Sequence, residues 1–306
     1  MFFRNLHLFR FSPAVAADLA RLAEVLPDHT LRPVGGMEMF TRGFVSPVGR
    51  GSDDPLTRTV GHCTLFTVGG QDKILPASVV NGELQRKVQQ ITEQEGRKVG
   101  GRERKRIKED LLNQLLPRAF VQESHLSGYV DTHNGWLVLD TASRKAAESA
   151  MTQLREALGS FPAVPLAPEE GPRVLLTDWL LNWGLPTGLA FGDECELRDP
   201  ASSTGAIIRA RRQDMHSDEI KEHLRNGKQV FQLGLVFDQR ISFVLGEDLV
   251  VRKLKFLDGV LDDLADSHEN ATAEADASLT LMTLELERLL DKLAEWFGLP
   301  RPGDVA

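Results

Sequence analysis

The feature that most constrains the fold is a pair of helical patterns separated by two consecutive glycines. Residues 77–95 and 102–116 each repeat apolar side chains at helical spacing, and Gly100 and Gly101 lie between them. Because adjacent glycines end one helix and allow the chain to reverse, the sequence predicts an αα-hairpin. A helix of about 19 residues is roughly 28 Å long, so we expect this hairpin to project from a smaller body.

This hairpin is basic, whereas the chain as a whole is acidic. The formal net charge is −8. Between Arg97 and Lys108, however, seven basic residues stand with a single acid, Glu103. Residues 258–295 show the opposite bias, with eleven acids and two basic residues. A chain divided in this way can present one basic surface to a polyanion and repel it elsewhere.

The segments on either side of the hairpin alternate strand and helix patterns. Before it we expect an opening strand, an amphipathic helix at Pro13–Leu26 and strands at Met37–Val45 and Thr59–Val68. After it come a β-hairpin turning at Asn134 and Gly135 and a helix at Ser143–Leu158. The proline-rich stretch Pro162–Pro172 is the best candidate for a linker.

Beyond this linker the pattern predicts a Trp-rich helix, two strands, a three-strand meander and two acidic helices. The last helix, about Ala273–Phe297, is apolar on one face and is suited to packing against a neighbour such as another subunit. The whole is an α+β fold with antiparallel sheets. We divide it into a central domain (1–75 with 120–161), the projecting basic hairpin (76–119) and a C-terminal helical and sheet domain for dimerisation (162–306).

Enzyme motifs are absent from the sequence. It contains no P-loop, no GxSxG, no HExxH and no CxxC. The acids Asp262, Asp263, Asp266 and Glu269 are typical of a solvated helix face rather than of a metal site. We therefore expect no catalysis, cofactor, metal or small-molecule substrate, and a metal-dependent nuclease is the enzymatic alternative.

Cysteine usage and hydropathy indicate a cytoplasmic protein. Cys63 and Cys195 are far apart and in apolar contexts, which favours two buried thiols over a disulfide. No stretch approaches the roughly 18 apolar residues of a membrane span.

A second basic element lies in the predicted strand Gly205–Asp214. Arg209 and Arg211 share one face of an extended strand, and Arg212 and Gln213 follow them. Two like charges on one face with no acid between them favour an anionic partner. Protection of an edge strand against aggregation is the alternative.

A cation and an aromatic residue follow the second hairpin helix. Arg118 and Phe120 stand where the chain turns into the next strand, and Phe120 suits either an exposed contact or the core.

Several separated motifs occur in the order typical of one family. They are FRNLHLFRFS at the start, KILP at Lys73–Pro76, LLPRAF at Leu115–Phe120, IRARRQD at Ile208–Asp214 and LKFLD at Leu254–Asp258. Over essentially its full length the chain resembles the recombination-associated protein RdgC family. The resemblance implies a homodimer closed into a ring, with a basic hole that threads duplex DNA without sequence preference. It also implies restraint of the RecA recombinase, a link to replication-fork repair and association with the nucleoid.

The resemblance assigns DNA contacts to Arg97, Phe120, Arg211, Arg212 and Gln213. Together with the charge pattern, the candidate DNA-binding residues are Arg97, Lys98, Arg102, Arg104, Lys105, Arg106, Arg118, Phe120, Arg209, Arg211, Arg212 and Gln213. Arginines at 211 and 212, where relatives often carry lysines, add bidentate phosphate geometry. Single-stranded DNA is an alternative substrate. A protein-interaction scaffold, in which the hairpin docks an acidic partner, is the alternative function.

Overall fold

The computed structural model describes residues 2–49, 54–168, 171–201, 205–261 and 271–304. Within these ranges the chain forms two antiparallel sheets with helices packed against them. The predicted α+β class with antiparallel sheets and a C-terminal helix is confirmed. The acids at 262, 263, 266 and 269 lie outside the described residues.

The first sheet contains seven strands. In order of position it reads β2-β4-β5-β6-β1-β7, with β3 also paired to β4. Its strands are β1 (His7–Arg10), β2 (Phe40–Val45), β3 (Thr57–Val60), β4 (Cys63–Ile74), β5 (Phe120–Asp131), β6 (Trp136–Leu139) and β7 (Val164–Pro165). Part of the proline-rich stretch thus forms a two-residue strand at the sheet edge, the place where proline is tolerated.

The second sheet contains five strands in the order β12-β11-β10-β8-β9. Its strands are β8 (Leu189–Arg198), β9 (Ile207–Arg211), β10 (Gln229–Phe237), β11 (Ile241–Gly246) and β12 (Val251–Phe256). The predicted meander corresponds to β10–β12, and the basic strand β9 occupies an outer position.

The described α-helices are α1 (Ala16–Leu19), α2 (Leu22–Val25), α3 (Ala77–Glu95), α4 (Gly101–Leu115), α5 (Arg144–Leu158), α6 (Pro172–Asn182), α7 (Asp218–Arg225), α8 (Asp258–Leu261) and α9 (Ala271–Trp296). Short 3-10 turns occupy Pro13–Val15, Leu26–His29, Leu116–Arg118 and Pro302–Asp304. None of the helices in the described ranges is both long and apolar enough to cross a membrane.

Helices α3 and α4 occupy the two segments predicted from periodicity, with bounds that differ by at most one residue. Val80, Leu84 and Leu111 are the residues buried in these two helices, and most other positions are exposed. Helix α3 ends at Gly96, whose φ of 65° is the left-handed conformation that glycine adopts without strain. The pair is thus a thin, solvated unit, and its projection from the body stays a prediction.

The helix pair is inserted between two paired strands. Strand β4 runs antiparallel to β5 from Cys63, opposite Asp131, to Ile74, opposite Phe120. Side chains near the first end are buried, whereas residues 120–125 are exposed. The ladder therefore extends beyond the core and ends where α3 begins and α4 returns.

The apolar side chains form two clusters. One lies between the seven-stranded sheet and helices α1, α2 and α5, and contains the predicted helix face Val15, Leu19, Leu22 and Leu26. The other joins the five-stranded sheet, α6 and α9 to residues of β1, β4 and β6.

The predicted continuous helix at Pro13–Leu26 is wrong in detail. The segment is broken into short turns, and the Arg21 N–H bonds to Asp18 O rather than to the residue four earlier.

The apolar face of α9 is covered by its own chain. Its six predicted apolar positions are all buried, namely Leu279, Met282, Leu286, Leu289, Leu293 and Phe297. Arg58 on β3 pairs with Asp276, and Trp179 on α6 contacts Trp296 edge-on at 6.3 Å between ring centroids. The predicted packing of this face against a neighbour is confirmed, and the neighbours in this structure are the chain's own strands and α6.

Candidate nucleic-acid interface

The connection between α3 and α4 gathers cations around a helix N-terminus. Arg97 and Lys98 lie in the connection, and the first turns of α4 carry Arg102, Arg104, Lys105 and Arg106. Gly100 occupies the N-cap position, so no side chain caps the first amide groups of α4. The positive end of a helix macrodipole disfavours cations, and an anion placed there would relieve that repulsion.

Arg97 is held by two carboxylates in this structure. Its Nη1 and Nη2 donate to the two oxygens of Glu103 at 2.6 and 2.7 Å, and its Nε donates to Glu95 at 2.6 Å. These hydrogen bonds raise the pKa of Arg97 and lower that of Glu103. Arg97 must exchange a carboxylate for a phosphate before it can contact DNA, which the charge pattern alone did not indicate.

Six other cations of this connection and of α4 have no such partner. Within the part of the chain that the structure describes, no ion pair involves Lys98, Arg102, Arg104, Lys105, Arg106 or Lys108. A groove of about 510 Å³ between the two helices is lined by Asn81, Leu84, Gln85, Gly101, Arg104, Lys105 and Lys108. This groove is polar and cationic, as a phosphate-binding surface requires.

Exposed apolar side chains surround the root of the helix pair. Phe120 is 83% exposed, so the alternative that it belongs to the core is wrong. Ile74, its partner across the ladder, is 46% exposed, and Phe40 on β2 is 61% exposed. Arg118 is also exposed. Sequence reasoning missed Phe40 and Ile74 because it did not place the ends of β2, β4 and β5 beside each other.

A buried lysine holds together the chain segments at the base of the helix pair. Lys73 is 8% exposed, and its Nζ donates to Gly36 O at 2.6 Å and to Leu116 O at 2.9 Å. The first bond ties β4 to the loop before β2, and the second ties it to the segment that leaves α4. The position of Phe120 relative to the sheet is therefore set by buried contacts.

On β9, Arg209 is neutralised within the chain. It lies opposite Glu196 of β8, and its Nε donates to Glu196 Oε2 at 2.6 Å. Arg198 binds the other oxygen of the same carboxylate. Burial alone would raise the pKa of Glu196, but the hydrogen bonds from the two arginines outweigh it and lower the pKa. The sequence predicted an anionic partner for this strand face. At Arg209 that partner is the Glu196 carboxylate of the neighbouring strand.

Arg211 and Arg212 remain available. Both are exposed, and neither forms an ion pair with the residues that the structure describes. Arg211 lies opposite Glu194, whose carboxylate is bound by Lys253 of β12. Arg212 has a φ of 54°, which turns the chain away from the strand direction directly after β9.

A broad concavity joins these residues to the other end of the sheet. Its volume is about 810 Å³, and Arg212, Gln213, Lys253 and Lys255 contribute to its lining. Lys253 and Lys255 were missed from the sequence. The alternation that marked Arg209 and Arg211 also occurs in β12 and could have indicated them.

Comparisons with known proteins show which family this chain is similar to. A family model described as "Putative exonuclease, RdgC" matches residues 1–299. A protein named recombination-associated protein RdgC from Stenotrophomonas maltophilia is 49% identical over 302 residues, which is 98% of this chain and 99% of that protein. One of the same name from Xanthomonas campestris pv. campestris (strain B100) is 50% identical over 290 residues, 94% of this chain and 95% of that protein. The chain belongs to the RdgC family.

Membership of the RdgC family confirms the resemblance and supports an association with DNA recombination. The relatives' names give recombination as their context and state no catalytic activity, whereas the description of the family model mentions an exonuclease. The two descriptions differ on catalysis, so the experiments below measure DNA binding and DNA cleavage together.

Proposed function

We propose that this RdgC-family protein binds DNA through its phosphate backbone without reading sequence. The observation that carries the proposal is the group of cations on α4 and its connection that lack carboxylate partners in the described structure. Lysine and arginine neutralise phosphates and release condensed counterions, so affinity falls steeply with salt and hardly at all with sequence. Contact with about six phosphates gives a log–log salt slope near −5.

The assembly is a homodimer closed into a ring around duplex DNA. Closure by symmetry would bring two copies of each basic surface to one central hole. Retention then depends on the ring as well as on phosphate contacts. In the cell, a protein that occupies duplex in this way restrains RecA-mediated recombination, accompanies replication-fork repair and is found in the nucleoid.

The first experiment measures fluorescence anisotropy with two unrelated duplexes of equal length and their single strands, over a salt series with and without Mg²⁺. Equal duplex affinities, a steep negative slope and intact DNA support the proposal. Loss of DNA with Mg²⁺ would make the protein a nuclease. Absence of binding at low salt would overturn the proposal and favour a scaffold whose helix pair docks an acidic protein.

The ring is tested by topology. Protein loaded on nicked circular DNA should resist a high-salt wash, and cutting the circle once should release it. Equal retention on linear and circular DNA would contradict encirclement. A strand-exchange reaction with RecA, with protein added before or after RecA, measures the restraint itself.

A further inference from the structure

A second cluster of chemistry-bearing side chains lies away from the proposed interface, where two turns of the seven-stranded sheet meet α9. His62 lies in the turn between β3 and β4, and Cys63 is the first residue of β4. Cys63 is paired across the ladder with Asp131, the last residue of β5. Directly paired residues of an antiparallel ladder project from the same face, so the thiol and the carboxylate lie side by side.

The ligand atoms of these three residues converge. One atom each from His62, Cys63 and Asp131 lie within 4.8 Å of one another. His62 Nε2 is 3.7 Å from Asp131 Oδ1 and 3.9 Å from Oε2 of Glu287 on α9. With one sulfur among its ligands, a tetrahedral zinc ion with bonds of about 2.0 Å to nitrogen or oxygen and 2.3 Å to sulfur separates its ligand atoms by about 3.3–3.5 Å. The imidazole of His62 stands only slightly farther than this from each carboxylate.

Hydrogen bonds within the protein orient the carboxylates and the backbone of this cluster. Asp131 Oδ1 accepts from the backbone N–H groups of His133 and Asn134 at 3.0 and 2.8 Å. The Asn134 side chain bridges Asp131 Oδ2 and Glu287 Oε1, both at 2.9 Å. The backbone oxygen of His62 accepts two bonds from Thr132. Metal-binding carboxylates are oriented by outer hydrogen bonds of this kind.

The electrostatics of the cluster favour a cation. Cys63 and Asp131 are 4% and 3% exposed. The carboxylates of Asp131 and Glu287 lie close enough that one Asn134 amide group donates to both. Negative charge is thus crowded at this junction, and a bound divalent ion would stabilise it.

We propose that His62, Cys63, Asp131 and Glu287 bind one Zn²⁺ or a similar divalent transition metal per chain. A thiolate with an imidazole selects such an ion over Mg²⁺ or Ca²⁺, which prefer oxygen ligands alone. On binding, the thiol proton leaves to solvent and the sulfur forms a bond to the metal. The ion links both turns to α9, so its role is to stabilise the contact between the seven-stranded sheet and the C-terminal helix.

The test uses Co²⁺ as a spectroscopic substitute for Zn²⁺ on chelator-treated, reduced full-length protein. The wild type should bind one equivalent, show a thiolate-to-cobalt charge-transfer band and lose the band when Zn²⁺ is added. Cys63→Ser should abolish the band, and His62→Gln should weaken Co²⁺ binding by more than the roughly tenfold loss that removal of an outer hydrogen-bond partner causes, because it removes a direct ligand. Cys195→Ser is the matched control because Cys195 is equally buried, at 4% exposure. His125→Gln is the matched control for the imidazole.

Thermal unfolding with and without Zn²⁺ supplies a second measurement. A ligand that binds only the folded state raises the Tm. Zn²⁺ should therefore raise the Tm of the wild type and of both controls by more than that of His62→Gln at the same Zn²⁺ concentration. A wild type without the cobalt band, or a band that survives Cys63→Ser, would overturn the proposal. If Cys63→Ser fails to fold, His62→Gln decides, because the His62 side chain is 39% exposed and tolerates replacement.

Discussion

Arg97, in the connection between α3 and α4, forms a bidentate ion pair with Glu103 of α4, with N–O distances of 2.6 and 2.7 Å. The residue assigned to DNA contact is thus restrained by an acid of the same basic segment. A phosphate must displace this carboxylate, so Glu103 acts as an internal competitor for Arg97.

The first prediction concerns this competition. Glu103→Gln should tighten DNA binding at low salt, because it removes the carboxylate bound to Nη1 and Nη2 of Arg97, leaving only Glu95 on Nε, and removes a negative charge beside the phosphates. The log–log salt slope should become steeper by about 0.9, corresponding to one more phosphate. Anisotropy titrations over a salt series provide the measurement. Glu109→Gln is the control, since Glu109 is exposed on the same helix and forms no ion pair in the described structure. Equal effects of the two substitutions would mean that only net charge matters.

The second prediction separates Arg211 and Arg212 from their neighbour Arg209. Arg211→Ala with Arg212→Ala should weaken binding to all sequences alike and leave the Tm unchanged, because both side chains are exposed. Arg209→Ala should do the reverse. It leaves the buried Glu196 with Arg198 alone and costs about 1 kcal/mol of stability, since Arg209 is itself largely exposed. Urea unfolding and anisotropy on the same preparations distinguish the two. Unchanged affinity of the double variant at low salt would remove β9 from the interface.

The third prediction concerns Phe120. Phe120→Ala should reduce DNA affinity by about tenfold if its ring stacks on or wedges between bases. The Tm should not fall, because the ring is 83% exposed and loses little packing. Val121→Ala is the matched control, since Val121 is the next residue of β5, faces the opposite side and is 45% exposed. An equal loss in both variants would indicate an effect on the strand rather than on a base contact.

The fourth prediction concerns the thiols. Burial, the main cause in both cases, raises the pKa of Cys63 to about 12 and that of Cys195 to about 11. Neither should react with an aromatic disulfide reagent at pH 8 until the chain is unfolded. In chelator-treated protein above pH 9, the unfolded chain releases thiol protons that the folded chain retains, so the free energy of unfolding should fall as the pH rises toward 12. Rapid reaction of the folded protein would contradict the burial of these side chains.

Local patterns predicted the helices better than the long strands. Helices α3 and α4 were placed to within a residue because glycine breaks and apolar spacing are both local. The second half of the β4–β5 ladder was missed because residues 120–125 are exposed and lack the alternation of a half-buried strand. Their pairing comes from the register that continues from the core.

In the candidate site, too, the local features could be predicted from the sequence, whereas the contacts between strands could not. The charge clusters were visible in the sequence, but the carboxylate that occupies Arg209 lies on another strand, and its position depends on the register of β8 with β9. The convergence of His62 and Cys63 with Asp131 likewise depends on the β4–β5 register, which no spacing motif contains.

The ladder between β4 and β5 has a final consequence. Because Ile74 and Phe120 are direct neighbours across it, the chain leaves and re-enters the sheet at almost one point. The helix pair is therefore an insertion whose two ends lie side by side. Its length can change without shifting the register below it, since closing a longer connection adds entropy cost only slowly.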